Sequence, residues 1–477
     1  VPRRRLPPAS LELTADEMRD MVDRAMDRIV PWIASLPEQP VHMLDGGQKL
    51  ARALREPLPE QGVSFRKLLG QLFERVIPTA FNTASPGYLA YIPGGGLFHA
   101  AVADLVANAT NRYVGIWAAA PGLVQIEQNV VRWFADLAGF PEGAGGLLTT
   151  GGSLANLGAV VAARHEKLGH PFADGVVYTS DQVHHSVAKA LRVAGFPDQA
   201  LRVLPTSDQR LDPIQLRAAI ERDRAAGLRP AMVVASAGTT PTGAVDPLPA
   251  LADLCAAEGL WLHMDAAYGG AFLLTDRGRA ALAGIDRADS ITLDPHKGMF
   301  LPYGTGCLLV RDRGTLRRAH QVHASYLPPP QASEEFWDFA DLGPELSRDA
   351  RGLRVWIPLK MHGAAAFRAA LDEKLDLAAD AAARIAALPG VTLLAPPDLS
   401  LFAFRVAPPG VTDEAQIDAF GRRLLAAVNA RQRVLLTGAE VNGRHVLRVC
   451  VLSFRTHADR IDMLIEDLSA AIAQCAR

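Results

Sequence analysis

Cysteine is scarce in this chain, with four in 477 residues, and Cys255, Cys307, Cys450 and Cys475 lie far apart in mostly apolar surroundings. That excludes a disulfide framework and suits buried thiols in a reducing cytosol, so a cytoplasmic location is expected. Charge of one sign is also missing: the formal net charge is −2, which gives no electrostatic reason to bind nucleic acid or an anionic membrane. Arg3-Arg4-Arg5 is too short a run to change this. No apolar stretch reaches the roughly 20 residues of a membrane span, because proline, glycine or charge interrupts each one, and no signal peptide is recognisable. The 13 histidines show neither H-E-x-x-H nor a Cys/His spacing that closes a zinc site, so no metal is expected. Both common nucleotide fingerprints, G-x-G-x-x-G and G-x-x-x-x-G-K-[ST], are lacking at the glycine-rich turn Thr149 to Ser153. No internal repeat or low-complexity tract is evident.

What is present is an ordinary globular composition, 49% hydrophobic and 21% charged, long enough for two or three domains. Thr14-Ala15-Asp16-Glu17 fits a capping box, and Met18, Val22, Met26 and Ile29 come next at helical spacing. Residues 1–85 are therefore expected to form a helical arm too small for its own core. From about Gly146 to Val310, helical patterns alternate with the apolar runs Gly175 to Tyr178, Leu201 to Leu204, Ala231 to Ala235, Leu260 to Met264, Ser290 to Leu293 and Cys307 to Val310. Such alternation predicts an α/β domain with a mostly parallel sheet over residues 86–360, and ligands at the strand carboxyl ends. Between Ser325 and Asp349 the chain turns irregular, with Pro328-Pro329-Pro330 in a row, where a lid is expected. A helix around Leu371 to Leu388 and short strands at Val391 to Leu394, Leu401 to Val406, Val434 to Leu436 and Val446 to Leu452 predict a small α+β domain over residues 361–477.

His296-Lys297 comes just after the apolar strand Ile291-Thr292-Leu293. A lysine there is most often a solvated strand end, but it can also be held close enough to a bound aldehyde to form an imine. Its companions favour the second reading. Asp265 ends the buried run Leu260 to Met264, where its carboxylate could stabilise a protonated pyridine nitrogen; the plainer reading is a cap for the chain after the strand. Thr149-Thr150-Gly151-Gly152-Ser153 precedes an alanine-rich helix from Leu154 to Arg164, so Gly151, Gly152 and Ser153 could cradle a phosphate at a helix N-terminus. One of the paired histidines His184 and His185 could stack on a pyridine ring and meet a substrate carboxylate, or both could be partly exposed caps. Together these residues read as a site for pyridoxal 5'-phosphate.

The segments Ser180-Asp181-Gln182-Val183-His184, His263-Met264-Asp265-Ala266-Ala267-Tyr268, Asp294-Pro295-His296-Lys297 and Leu447-Arg448-Val449-Cys450 resemble the group II pyridoxal phosphate-dependent decarboxylases, among them the aromatic L-amino acid decarboxylases. Further matches are Pro86 to Pro93, Ile116 to Pro121 and Gly238-Thr239-Thr240, so the likeness runs from about Pro86 to Thr456. The resemblance implies a fold-type-I, aspartate aminotransferase-like enzyme. It makes Lys297 the cofactor-linked lysine, Asp265 the partner of the pyridine nitrogen and His184 the stacking ring. It also places Gly152, Ser153 and His296 in segments that hold the phosphate, and Thr239 and Ala267 near the ring. Tyr91, Ile92, Pro93, Tyr113 and Trp117 fall in segments that shape the substrate pocket, partly from the other subunit of a homodimer.

The implied reaction is decarboxylation of an L-amino acid through an external aldimine and a quinonoid carbanion. The aromatic residues Tyr91, Tyr113 and Trp117 favour an aromatic or apolar side chain. One position departs from the family pattern. Where the decarboxylases carry a proton-donating loop tyrosine, alignment from Trp337 to Trp356 places Phe339, with Tyr326 nearby. Phenylalanine at that place implies an alternative, oxidation of the carbanion by O2 to give aldehyde, ammonia and peroxide. A third reading is a non-catalytic protein on the same fold, against which the joint presence of Lys297, Asp265, His184 and Ser153 argues.

Overall fold

The computed structural model describes residues 11–322 and 335–475. Arg3 to Arg5, Tyr326 and the Pro328 to Pro330 run lie outside the described residues.

Seven strands form the central sheet: β1 (Gly145–Thr149), β2 (Gly175–Ser180), β3 (Leu201–Leu204), β4 (Arg229–Ser236), β5 (Trp261–Ala266), β6 (Ser290–Leu293) and β7 (Gly306–Val310). Their spatial order is β1-β7-β6-β5-β4-β2-β3. β3, β2, β4, β5 and β6 pair in parallel, while β7 runs antiparallel to both of its neighbours, β6 and β1. Every residue of β2, β5, β6 and β7 is buried. Successive side chains point to opposite faces, and both faces here are covered. Val176 and Tyr178 join one apolar cluster with Val233, Leu262 and Met264. Val177 joins another with Met232, Val234 and Ala159 of the helix Gly152–Lys167. Burial on both sides explains why these strands read as continuous apolar runs rather than alternating ones.

A second sheet holds β8 (Val391–Leu393), β9 (Leu401–Val406), β10 (Thr437–Val441) and β11 (Arg444–Cys450), all antiparallel in the order β10-β11-β9-β8. Helices Glu414–Asn429 and Ala458–Cys475 pack on it around Phe402, Phe404, Leu424 and Leu464. The strand expected at Val434 to Leu436 is displaced. Those residues are buried, but Leu435 makes an isolated parallel bridge to Tyr88, and the ladder begins only at Thr437. The helix expected from Leu371 is longer, running Gly352–Ala386 with a break at Gly363, whose φ of 73° and ψ of 157° leave the helical region.

The first helix, Ala15–Ala34, carries the capping box: Thr14 and Glu17 each accept from the other's backbone N–H. None of its residues is buried, and Met18, Met21 and Val22 are exposed. After it the chain is tied to the C-terminal part, with Val41 donating its backbone N–H to Gln432 O (3.0 Å) and Arg460 donating to Pro37 O (3.0 Å).

Candidate active site

The carboxyl ends of β4, β5 and β6 open onto a cavity of ≈ 380 Å³ lined by, among others, Gly152, Ser153, His184, Thr239, Asp265 and Lys297. Gly151, Ala267 and His296 also line it, so all nine expected cofactor-binding residues converge there.

Asp265 is the fifth residue of β5, in parallel register with Ser236 on β4 and Thr292 on β6. Its carboxylate is fixed by two donors: the Ala267 backbone N–H to Oδ1 (3.1 Å) and the Asn156 side-chain amide to Oδ2 (2.9 Å). Lys297 lies in the short helical turn Pro295–Gly298 just after β6. Its amine sits 3.0 Å from Oδ2 of Asp294. Burial works against its charged form, but the nearby carboxylates of Asp294 and Asp265 outweigh burial and raise its pKa above that of an ordinary lysine. His296 donates from Nδ1 to Thr305 O (2.6 Å), which leaves Nε2 turned towards Asp294 at 3.7 Å. Burial lowers its pKa, so the ring is held neutral at neutral pH.

The phosphate cradle arises from backbone conformation. Gly151 takes φ 154° and ψ 171° as the N-cap of the helix Gly152–Lys167, a conformation open to glycine. A Cβ on Gly152 would lie 2.9 Å from Asp294 Oδ2 and 3.3 Å from Ala267 Cβ, so a bare backbone is required at that close approach. Gly152, Ser153 and Leu154, at the N-terminus of this 16-residue helix, line the same cavity. Oδ1 of Asp294 is buried with no hydrogen-bond partner among the described residues, 3.2 Å from where a Cβ on Gly152 would stand. The Lys297 amine, the fixed Asp265 carboxylate, the His184 imidazole, whose pKa burial lowers, and a helix N-terminus around one cavity fit the groups of pyridoxal phosphate: aldehyde, ring nitrogen, ring face and phosphate.

The expected substrate-pocket residues are not brought into this cavity within one chain. Tyr91 is 51% exposed, with its ring 6.1 Å from that of Phe81. Ile92 and Pro93 are buried beside it, and Gly94 passes so close to His296 O that a Cβ would stand 2.7 Å away. Tyr113 donates its hydroxyl to Leu346 O (3.0 Å), and Trp117 stacks on Phe336 at 4.3 Å. Phe339 is likewise elsewhere. It is 1% exposed in the cluster with Val124 and Leu147, and the Arg348 guanidinium lies 4.4 Å from its ring centre.

Among the lining residues that went unassigned in the sequence are Asn156, Ser186, Asp294 and Tyr303. Asn156 was the most concealed, a polar residue inside an alanine-rich helix with only 1% exposure. A mid-helix asparagine is disfavoured by propensity, and that cost was the available signal. Arg448 on β11 is buried and donates to the carbonyls of Tyr91 (3.2 Å) and Thr240 (2.5 Å), tying the second sheet to the loops of the site.

A family model described as the pyridoxal-dependent decarboxylase conserved domain matches residues 48–407. The chain is 35% identical to an aromatic-L-amino-acid decarboxylase of Bacillus atrophaeus, over 97% of this chain and 96% of that protein. It is 29% identical to a phenylacetaldehyde synthase of Petunia hybrida, over 94% of this chain and 93% of that one. Among solved structures, the crystal structure of Oryza sativa TDC with PLP and tryptamine superposes with a TM-score of 0.93 at 29% identity, over 98% of this chain and all of that one.

Proposed function

Because the chain belongs to the pyridoxal-dependent decarboxylase family, with pyridoxal 5'-phosphate as its cofactor, we propose that it removes the α-carboxylate of an L-amino acid with an aromatic or apolar side chain. The observation that carries this reading is the placement of Lys297, Asp265 and the Gly151-Gly152-Ser153 cradle around one cavity at the strand carboxyl ends. Bound there, the cofactor supplies an electron sink for the pair left when CO2 departs. Lys297 attaches it, and Asp265, held by Asn156 and Ala267, balances the charge of its ring nitrogen. His184 covers the ring. Gly151, Gly152, Ser153 and His296 hold the phosphate, and Thr239 and Ala267 flank the ring. The residues that orient the substrate against the bound cofactor would decide which of its bonds breaks.

Tyr91, Ile92, Pro93, Tyr113 and Trp117 then serve a pocket shared between the subunits of a homodimer. The unburied helix Ala15–Ala34 with its exposed Met18, Met21 and Val22 supports such an assembly, since a lone chain leaves that stripe in water. We divide the chain into an arm (1–85), a large domain (86–360) and a small domain (361–477), the helix break at Gly363 and the separate apolar core around Phe404 supporting the second boundary. No helix among the described residues is long and apolar enough to cross a membrane. Three buried free thiols, Cys255, Cys307 and Cys450, favour a reducing, cytoplasmic setting.

A second reading, favoured by the missing hydroxyl at Phe339, is oxidative: substrate, O2 and water give aldehyde, CO2, ammonia and hydrogen peroxide. One assay separates the two. Purified protein with added cofactor is offered a panel of L-amino acids, and CO2, amine, aldehyde, ammonia and peroxide are scored together. Amine with CO2 and no peroxide supports the first reading and excludes the second. Visible-range absorbance of the lysine-linked cofactor is expected to vanish in Lys297→Ala; its persistence would overturn the site.

A further inference from the structure

Behind the cavity wall, six polar side chains form a hydrogen-bond chain whose direction can be deduced. At one end the Asp265 carboxylate accepts at Oδ2 from the side-chain amide nitrogen of Asn156 (2.9 Å). Oδ1 of Asn156 then faces the other way and accepts from Thr292 Oγ1 (2.6 Å) and His263 Nε2 (3.1 Å). His263 is fully buried and neutral, so with its proton on Nε2 its Nδ1 must accept, and Ser290 Oγ at 2.8 Å donates to it. Ser290 in turn accepts from the Trp261 indole N–H (2.8 Å), which can only donate. Each bond is consistent with the next.

The second N–H of Asn156 goes to Ser186 Oγ (2.9 Å). A serine hydroxyl can accept that bond and still donate its own proton, and His184 Nδ1 lies 2.7 Å away. The Ser186 backbone N–H, always a donor, points at the same ring nitrogen at 3.3 Å. Because that N–H cannot accept, Nδ1 is the unprotonated nitrogen, and the Ser186 hydroxyl then donates to it as well.

We infer that Asn156, acting through Ser186, fixes His184 as the neutral tautomer protonated on Nε2, and is thereby a positioning residue for both His184 and Asp265. The ring then offers the cavity an N–H donor without a full charge. That difference matters for losing CO2. A cation beside the substrate carboxylate would stabilise the charged reactant more than the neutral product and slow its departure, whereas a neutral N–H can orient the group with less of that penalty. The inference rests on the reading of His184 as the ring that covers the cofactor. Its test reads the imidazole before any turnover, so its failure and failure of the decarboxylase reading are separate results.

The experiment is nitrogen NMR of holoenzyme carrying 15N-histidine, with the His184 signals assigned by their loss in His184→Gln. In the parent protein, Nδ1 is expected in the range of an unprotonated ring nitrogen and Nε2 in that of a protonated one. In Asn156→Asp the new carboxylate takes the Ser186 hydroxyl proton, and in Ser186→Ala that donor is absent. With only the Ser186 backbone N–H left as donor to Nδ1, both are expected to shift from the single-tautomer pattern towards a mixture, and Ser186→Thr is expected to restore it. Turnover by Ser186→Ala is expected to fall about five- to tenfold, as for one lost hydrogen bond to a reacting group's neighbour. A proton on Nδ1 or a doubly protonated ring in the parent at neutral pH overturns the inference, as does an unchanged pattern in both Asn156→Asp and Ser186→Ala.

Discussion

The amine of Lys297 lies 3.0 Å from Oδ2 of Asp294, a side chain only 3% exposed. The pair holds the amine's proton, since the carboxylates of Asp294 and Asp265 overcome the effect of burial. An amine attacks an aldehyde only when unprotonated. Removing one of these two carboxylates weakens the opposition to burial, so Asp294→Asn is expected to lower the lysine pKa and move cofactor uptake to lower pH. The rate at which visible absorbance develops in cofactor-free protein, followed across pH, measures this. A pH dependence identical to that of the parent would show that Asp294 does not retain the proton.

Gly152→Ala inserts a methyl 2.9 Å from Asp294 Oδ2 and 3.3 Å from Ala267 Cβ. Overpacking of this kind costs about 1–3 kcal/mol, and alanine repays roughly 1 kcal/mol through helix propensity. Thermal stability should change little while the cofactor dissociation constant rises about tenfold or more. Titration with pyridoxal phosphate beside a melting curve checks both, and unimpaired binding would mean the phosphate lies elsewhere.

His263 sets a pH window for stability. Burial lowers its pKa from 6.5 to about 4. Above pH 6.5 neither the folded nor the unfolded chain holds the proton. As pH falls towards 4 the unfolded chain takes one that the folded chain refuses, so about 3 kcal/mol is lost across that interval. His263→Gln is expected to flatten the slope of unfolding free energy between pH 6.5 and 4. Urea midpoints at several pH values decide it, and parallel slopes for both proteins would sink the assignment.

Glu127 and Arg348 pair at 2.7 Å with side chains 2% and 1% exposed. Glu127 also accepts from the Leu148 backbone N–H (3.0 Å), and Arg348 covers the Phe339 ring. Glu127→Gln leaves a buried guanidinium without its counter-charge and is expected to destabilise the protein by about 3–5 kcal/mol. A change below 1 kcal/mol by denaturant titration would show that the pair contributes little.

How far the sequence could be read depended on how local each feature is. β3, β6 and β9 carry the expected bounds because short apolar runs flanked by turns leave few alternatives. Lys297, Asp265 and the cradle were legible since each ends a strand or opens a helix, where side chains of that chemistry stand out. Val434 to Leu436 misled because apolarity signals burial, whereas pairing there goes to Tyr88 from far along the chain. Asn156 was hidden for a related reason: its partners Asp265 and Ser186 lie 109 and 30 residues away. Phe339 read as a site residue by alignment; the Arg348 guanidinium over its ring is a contact that spacing does not reveal.

Tyr113 and Trp117 are anchored to the 336–346 segment of their own chain, outside the cavity that holds Lys297. In the proposed homodimer, a defect in the cofactor lysine and a defect in the aromatic wall then belong to different pockets. Mixing two inactive proteins, one altered at Lys297 and one at Trp117, and letting them exchange subunits would leave each hybrid with one pocket carrying both lesions and one carrying neither. Two dead enzymes would give back a live one.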